Sequence, residues 1–136
     1  MVGTTRASRV ETLRFRDGRI EMIDQRVLPA RFDYIACNSA QEVAGAIRSM
    51  VVRGAPAIGC AAAYGIALEA KRLKDLPREG FAAGMEQAFD LVAQSRPTAV
   101  NLFWALQRMR RVLGELGDLP AADIVRHLIE EAHTIL

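Results

Sequence analysis

A chain of 136 residues, 51% hydrophobic and 25% charged, is long enough for one folded domain with a real core, which excludes wholesale disorder. Its 18 Lys and Arg against 16 Asp and Glu leave a formal charge of +2, with basic and acidic residues interspersed, so no nucleic-acid footprint is expected. The densest basic patch, Arg108, Arg110 and Arg111, has helical spacing and reads as a solvated face. Only two cysteines occur, Cys37 and Cys60, without the paired spacing of a disulfide framework or zinc site; a reducing, cytoplasmic setting is expected.

Met1 to Arg9 carry Thr and Ser in place of an apolar core, so no signal peptide is read there. Leu13 and Phe15 alternate with Arg14 and Arg16, Asp17-Gly18 supplies a turn, and Ile20 and Met22 alternate with Arg19 and Glu21. This pattern predicts a β-hairpin. After Pro29, the stretch from Phe32 to Ile35 could add a third strand.

At Ser39 the period changes. Ser39 and Glu42 have the form of a capping box, and Val43, Ile47, Met50 and Val51 recur at helical spacing, predicting a first helix that ends near Arg53-Gly54. A second helix is predicted from Pro56 to about Arg72. Its Ala57, Gly59, Ala61, Ala62, Ala63, Gly65 and Ala67 present little side chain, as a buried central helix approached closely by neighbours would. The longest apolar run, Ala55 to Leu68, falls short of the roughly 20 residues that span a bilayer, so no membrane segment is expected.

Phe81 to Ala93 predicts a third helix through Met85, Phe89 and Val92, and Pro97 should open a fourth carrying Leu102, Leu106, Met109 and Leu113. Trp104 and Phe103 read as core. The last helix, from about Ala121, aligns Ile124, Val125, Leu128, Ile129 and Ala132, and the chain then stops at Thr134-Ile135-Leu136 as if cut. The expected fold is α+β, a small amino-terminal antiparallel hairpin or three-stranded sheet over residues 1–38 followed by about five helices over 39–136, together one compact unit.

Two junctions place an arginine before a helix expected to start at proline, Arg53-Gly54-Ala55-Pro56 and Ser95-Arg96-Pro97-Thr98. A helix amino terminus exposes unpaired N–H groups and a partial positive charge, so a nearby cation is locally unfavourable. A phosphate between them reverses the sign, gripped by the guanidinium and by the amides of Gly54, Ala55 or Ala57. The same residues also fit an ordinary solvated loop-to-helix junction. Thr98 and Asn101 could bond a sugar, and Thr98 fits equally as a helix-start residue.

Other candidates offer less. His127 and His133 lie about 240° apart on a helix and do not converge on a metal. No carboxylate stands where a perturbed pKa can be argued, and Ser49 and Ser95 lack a base partner.

Val52-Arg53-Gly54-Ala55-Pro56-Ala57-Ile58-Gly59 with Ala61-Ala62-Ala63-Tyr64-Gly65 resembles the signature of methylthioribose-1-phosphate isomerases, and Ser95-Arg96-Pro97-Thr98-Ala99-Val100-Asn101-Leu102 resembles their second motif. The hairpin and Ile23-Asp24-Gln25 extend the resemblance over nearly the whole chain. It implies a two-domain, homodimeric enzyme of methionine salvage that converts 5-methylthioribose 1-phosphate into 5-methylthioribulose 1-phosphate without metal or organic cofactor. Arg53, Gly54, Ala55 and Arg96 would be its substrate-binding positions.

The resemblance also implies that the catalytic cysteine and acid sit in a Rossmann-like second domain absent from these residues. Neither Cys37 nor Cys60 matches the catalytic motif, so the chain alone is expected to be inactive. Nothing in the sequence reads the sugar's 5-substituent. Three alternatives remain: a regulatory subunit of the translation-initiation nucleotide exchange factor, a ribose 1,5-bisphosphate isomerase, and a helical interaction module.

Overall fold

The computed structural model describes residues 13–135. The readings made of Met1 to Arg9 and of Leu136 lie outside them.

Strands β1 (Leu13–Arg16), β2 (Arg19–Ile23) and β3 (Tyr34–Cys37) form an antiparallel meander in the order β1-β2-β3. Asp17 and Gly18 both take positive φ, 56° and 75°, which gives the turn whose twist suits a two-residue hairpin and pairs Leu13 with Met22 and Phe15 with Ile20. The third strand exists but begins at Tyr34, two residues later than predicted. Asp33 is occupied before it, its carbonyl accepting from the Asp24 N–H at 2.8 Å, while Phe32 stays exposed. The inward faces carry Leu13, Ile20, Met22 and Cys37 into the core.

Helix α1 (Ala40–Arg48) starts as the capping box requires. The Ser39 hydroxyl accepts from the Glu42 N–H at 3.1 Å, and Glu42 Oε1 accepts from the Asn38 N–H at 2.6 Å. It ends five residues before the predicted stop near Arg53. Met50 turns left-handed at φ 69°, and the N–H groups of Met50 and Val51 return to the carbonyls of Ile47 and Ala46 at 3.2 and 2.9 Å. This closes the helix with a motif that glycine commonly fills. A methionine in that conformation costs about 1–2 kcal/mol. Met50 is therefore 44% exposed and off the core face expected of it.

Helix α2 (Ala55–Leu73) is the buried centre. From Ile58 to Ala70 every residue is buried, and α1, α3 (Arg78–Ser95), α4 (Val100–Leu116), α5 (Ala121–Ile135) and β2 all meet it. Its small residues permit this. A Cβ on Gly59 would lie 3.2 Å from the Asn101 carbonyl oxygen, so that glycine seats the start of α4 against α2. Met85, Phe89 and Val92 of α3, and Ile124, Val125, Leu128 and Ala132 of α5, close the core as their periodicity predicted.

The fourth helix begins three residues after Pro97. Arg96-Pro97-Thr98-Ala99 is instead a turn, with the Ala99 N–H bonded to the Arg96 carbonyl at 3.0 Å and proline at its second position. Proline suits that position as well as it suits a helix start. Thr98 is thus a turn residue, outside the helix.

Trp104 and Phe103 are not core: they are 51% and 37% exposed on α4, with Arg108 over the Trp104 ring. The arginine patch is a solvated face at Arg110 and Arg111, which are exposed, and not at Arg108, which is half-buried. Arg108 bonds Glu131 and Thr134 of α5, while Arg110 reaches Glu86 of α3 at 2.7 Å and lies over Phe89.

A cationic cleft between two helix starts

The sequence of α2 opens with Gly54 in a backbone region closed to side chains, φ 92° and ψ 133°. This residue turns the chain from the Val51-Val52 bend into the helix, and a Cβ there would meet nothing within 4 Å. Conformation, and not crowding, demands the glycine. Gly59 then brings the start of α4 alongside.

Together they form a cleft of about 350 Å³ whose wall includes Arg53, Gly54, Ala55 and Arg96, the four positions singled out in the sequence. Ala99, Val100 and Asn101 from the start of α4, Ile58 from α2 and Met50 from the end of α1 complete it. Asn101 had been considered for a sugar contact; Met50, Ile58, Ala99 and Val100 had not.

The electrostatics of this cleft differ from those elsewhere in the bundle. Helices α1, α3 and α5 each place an acid in the first turn, Glu42, Glu79 and Asp123, whereas α2 and α4 have none and no side-chain cap. The unpaired amides of both starts therefore keep their positive field undiminished. Among the described residues neither Arg53 nor Arg96 forms a salt bridge or side-chain hydrogen bond, whereas Arg14, Arg26, Arg72 and Arg108 are all paired. Two unneutralised guanidiniums beside two helix amino termini fit an anion with several oxygens. The cleft wall holds no carboxylate, imidazole or thiol.

The remaining candidates are engaged elsewhere. Cys37 is buried and its thiol is pushed up to about 11, by burial first and then by Glu42; burial also raises Cys60, whose Sγ lies 3.4 Å from the Ile135 carbonyl. Neither presents a thiolate near neutrality. The hydroxyls of Ser49 and Ser95 donate to the carbonyls of Gly45 and Val92 at 2.8 and 2.6 Å. His133 Nδ1 is 2.6 Å from the Tyr64 hydroxyl, and His127 lies 3.9 Å from Glu130, so each has its own neighbour.

Three carboxylates are perturbed, contrary to expectation: at Glu21 the hydrogen bond from Arg14 lowers the pKa, outweighing burial. At Asp24 the Arg26 guanidinium lowers the pKa, outweighing burial. At Glu69 burial raises the pKa, but the bonds from Arg72 and from the Ala40 N–H together hold it below its ordinary value. Glu69 was findable: it is the lone acid in an Ala/Gly-rich helix. All three lie outside the cleft wall.

Comparison with known proteins agrees with this architecture. The model of the initiation factor 2 subunit family matches residues 51–136. The methylthioribose-1-phosphate isomerase of Albidiferax ferrireducens is 63% identical over 93% of this chain and 36% of its own length; that of Caldanaerobacter subterraneus subsp. tengcongensis is 49% identical over the same shares. The chain thus spans about a third of the length of the curated relatives it matches. Among solved structures, 5-methylthioribose 1-phosphate isomerase from Pyrococcus horikoshii superposes with a TM-score of 0.86 at 43% identity, covering 91% of this chain and 35% of that one. The delta subunit of translation initiation factor eIF-2B from A. fulgidus gives 0.83 at 34% identity over 91% and 36%. With the sheet, the five helices and the matched segment in agreement, the chain belongs to the initiation factor 2 subunit family and, within it, is similar to the methylthioribose-1-phosphate isomerases.

Proposed function

We propose that this chain, residues 1–38 and 39–136 acting as one unit, is the phosphate-gripping part of an aldose-ketose isomerase that converts 5-methylthioribose 1-phosphate into 5-methylthioribulose 1-phosphate. Arg53, Gly54, Ala55 and Arg96 are its substrate-binding positions. The observation that carries the reading is the meeting of Arg53, before α2, and Arg96, at the end of α3, 43 positions apart in sequence, in one cleft that also takes in the acid-free starts of α2 and α4. The names of the most similar relatives supply the sugar.

Moving a proton between adjacent sugar carbons needs an acid or base within about 3 Å. Among the described residues the cleft wall carries no carboxylate, imidazole or thiol to do this. The acid and base therefore come from the part of the protein that corresponds to the remaining two thirds of the relatives, which closes over the cleft; this chain alone is inactive. The homodimer and cytoplasmic setting implied by the resemblance belong to the same proposal. Identity of 63% to an isomerase against 34% to the exchange-factor subunit weighs for the enzyme.

The test is the full-length protein assayed for ketose formation. Charge-assisted hydrogen bonds contribute about 1.5–3 kcal/mol each, so Arg53→Ala and Arg96→Ala should each raise KM by about tenfold or more while circular dichroism and Tm hold. Unchanged KM in both variants rejects the phosphate site. Turnover by the 136-residue chain alone rejects the division of labour.

A further inference from the structure

Met50 holds a left-handed backbone conformation, φ 69°, at the end of α1, where glycine would serve without strain. The helix closes through the backbone of residues 46–51, so the methionine side chain contributes nothing to those bonds. Met50 is 44% exposed and lines the cleft, three residues before Arg53. Strain retained beside a binding cleft directs attention to what the side chain does there.

The cleft has two chemistries. Arg53, Arg96 and the helix-start amides form a cationic part, while Met50, Ile58 and Val100 form an apolar part. A volume of about 350 Å³ accommodates a ligand that needs both. Methionine is unbranched and polarizable, suited to packing against a small apolar group of irregular shape.

We propose that Met50 is a specificity-determining residue that reads the apolar substituent on carbon 5 of the sugar phosphate, packing its side chain against that group. The assignment rests on the cleft being a sugar-phosphate site. It gives the 5-substituent a reader within this chain, at a position where the sequence pattern suggested only a helix face.

The experiment compares full-length wild-type protein with Met50→Gly, Met50→Asn and Met50→Leu on 5-methylthioribose 1-phosphate and on its 5-deoxy analogue, with thermal denaturation of each variant. Glycine and asparagine accept the left-handed conformation, so those two variants keep the helix end and Tm does not fall. The ratio of kcat/KM for the methylthio sugar over the deoxy sugar is expected to drop about tenfold in both, mainly through KM, and to stay within about threefold in Met50→Leu. An unmoved ratio in the glycine and asparagine variants overturns the assignment, and so does an equal fall on both sugars, which would make Met50 a contact for the rest of the protein. Wild-type protein that turns over neither sugar phosphate refutes the isomerase reading and this assignment with it; turnover of both with an unmoved ratio refutes the assignment alone.

Discussion

Glu69 ties α2 to the start of α1, and removing it should cost more than its surface partner suggests. The carboxylate is 8% exposed on α2; Oε1 accepts from the Ala40 N–H at 3.1 Å, and both oxygens accept from Arg72 at 3.2 and 2.7 Å. The Arg72 side chain is 59% exposed, so water screens the ion pair, which contributes about 0–1 kcal/mol. The larger contribution is the bond to Ala40, the first residue of α1. A charged acceptor on a helix-start amide is worth about 1.5–3 kcal/mol, and Glu69→Ala leaves that buried N–H without a partner. We expect Glu69→Ala to destabilise by about 2–3 kcal/mol and Glu69→Gln, which retains an acceptor, by about 1 kcal/mol. At roughly 4 °C per kcal/mol for a domain of this size, the alanine variant melts about 8–12 °C lower. The sign of the pH dependence follows from the lowered folded-state pKa. Glu69 adds stability above its unfolded value, 4.5, and that increment is lost as pH falls through the lower folded value. Urea titrations from neutral to acid pH should show the wild-type advantage over Glu69→Gln narrowing in that window. Equal losses in the glutamine and alanine variants would show that the charge, and not the cap to α1, matters; a gap that widens toward acid would refute the account.

Other consequences are cheaper to check. Gly54→Ala introduces no clash but forces an alanine to φ 92°, so it should cost about 1–3 kcal/mol in denaturation and raise KM, because relief of the strain shifts Arg53; a silent substitution would mean the turn is not held. Cys37 and Cys60, buried with raised thiol pKa values, should react with a thiol reagent at pH 8 only after denaturant is added, and their serine variants should keep turnover in the full-length protein. Phe89→Ala should cost about 3–5 kcal/mol and Trp104→Ala under about 1, the reverse of their size order, because Phe89 is 2% exposed and Trp104 is 51% exposed.

The parts of the fold that were readable are those decided within a few residues. Asp17-Gly18 has to take positive φ, Ser39 and Glu42 cap one another, and the Ala/Gly run from Ala57 to Ala67 leaves no option but close approach. Three failures have physical causes. Pro97 satisfies a turn and a helix start alike, and only the bond from the Ala99 N–H to the Arg96 carbonyl decides between them. Trp104 follows Leu102 by two positions, about 200° around a helix, so the stripe of Leu102, Leu106 and Met109 had already placed it opposite the core; residue type was weighed above periodicity. Met50 continues the spacing from Ile47, and nothing local announces that the chain turns left-handed there. Of the cleft, the two arginine motifs were legible as motifs, but their meeting was not, because it depends on Gly59 admitting the start of α4 against α2.

Local preferences are set aside at several places, among them the uncapped start of α3, but acid-free helix starts, unpaired arginines and a strained methionine coincide in the cleft, and that coincidence is the physical case for a site. Helices α1, α3 and α5 open with acids that suit the macrodipole, and α1 has a reciprocal cap; α2 and α4 open with neither. Each omission forgoes about 0.5–2 kcal/mol of capping and a few tenths from the dipole. Arg53 directly before α2 adds repulsion, whereas Arg96 caps the carboxy end of α3, where the dipole favours it; Met50 beside the cleft adds backbone strain. A sequence under no constraint but stability would scatter such departures over the surface. Here they share one cleft, and a single bound dianion would offset the electrostatic ones at once, pairing with both guanidiniums while accepting from the free amides. The cleft should therefore be the place where ligand stabilises the protein most: inorganic phosphate at millimolar concentration should raise Tm of wild type and not of the Arg53→Ala, Arg96→Ala double variant. Equal shifts in the two proteins would place the anion elsewhere and break the link between the misfit residues and function.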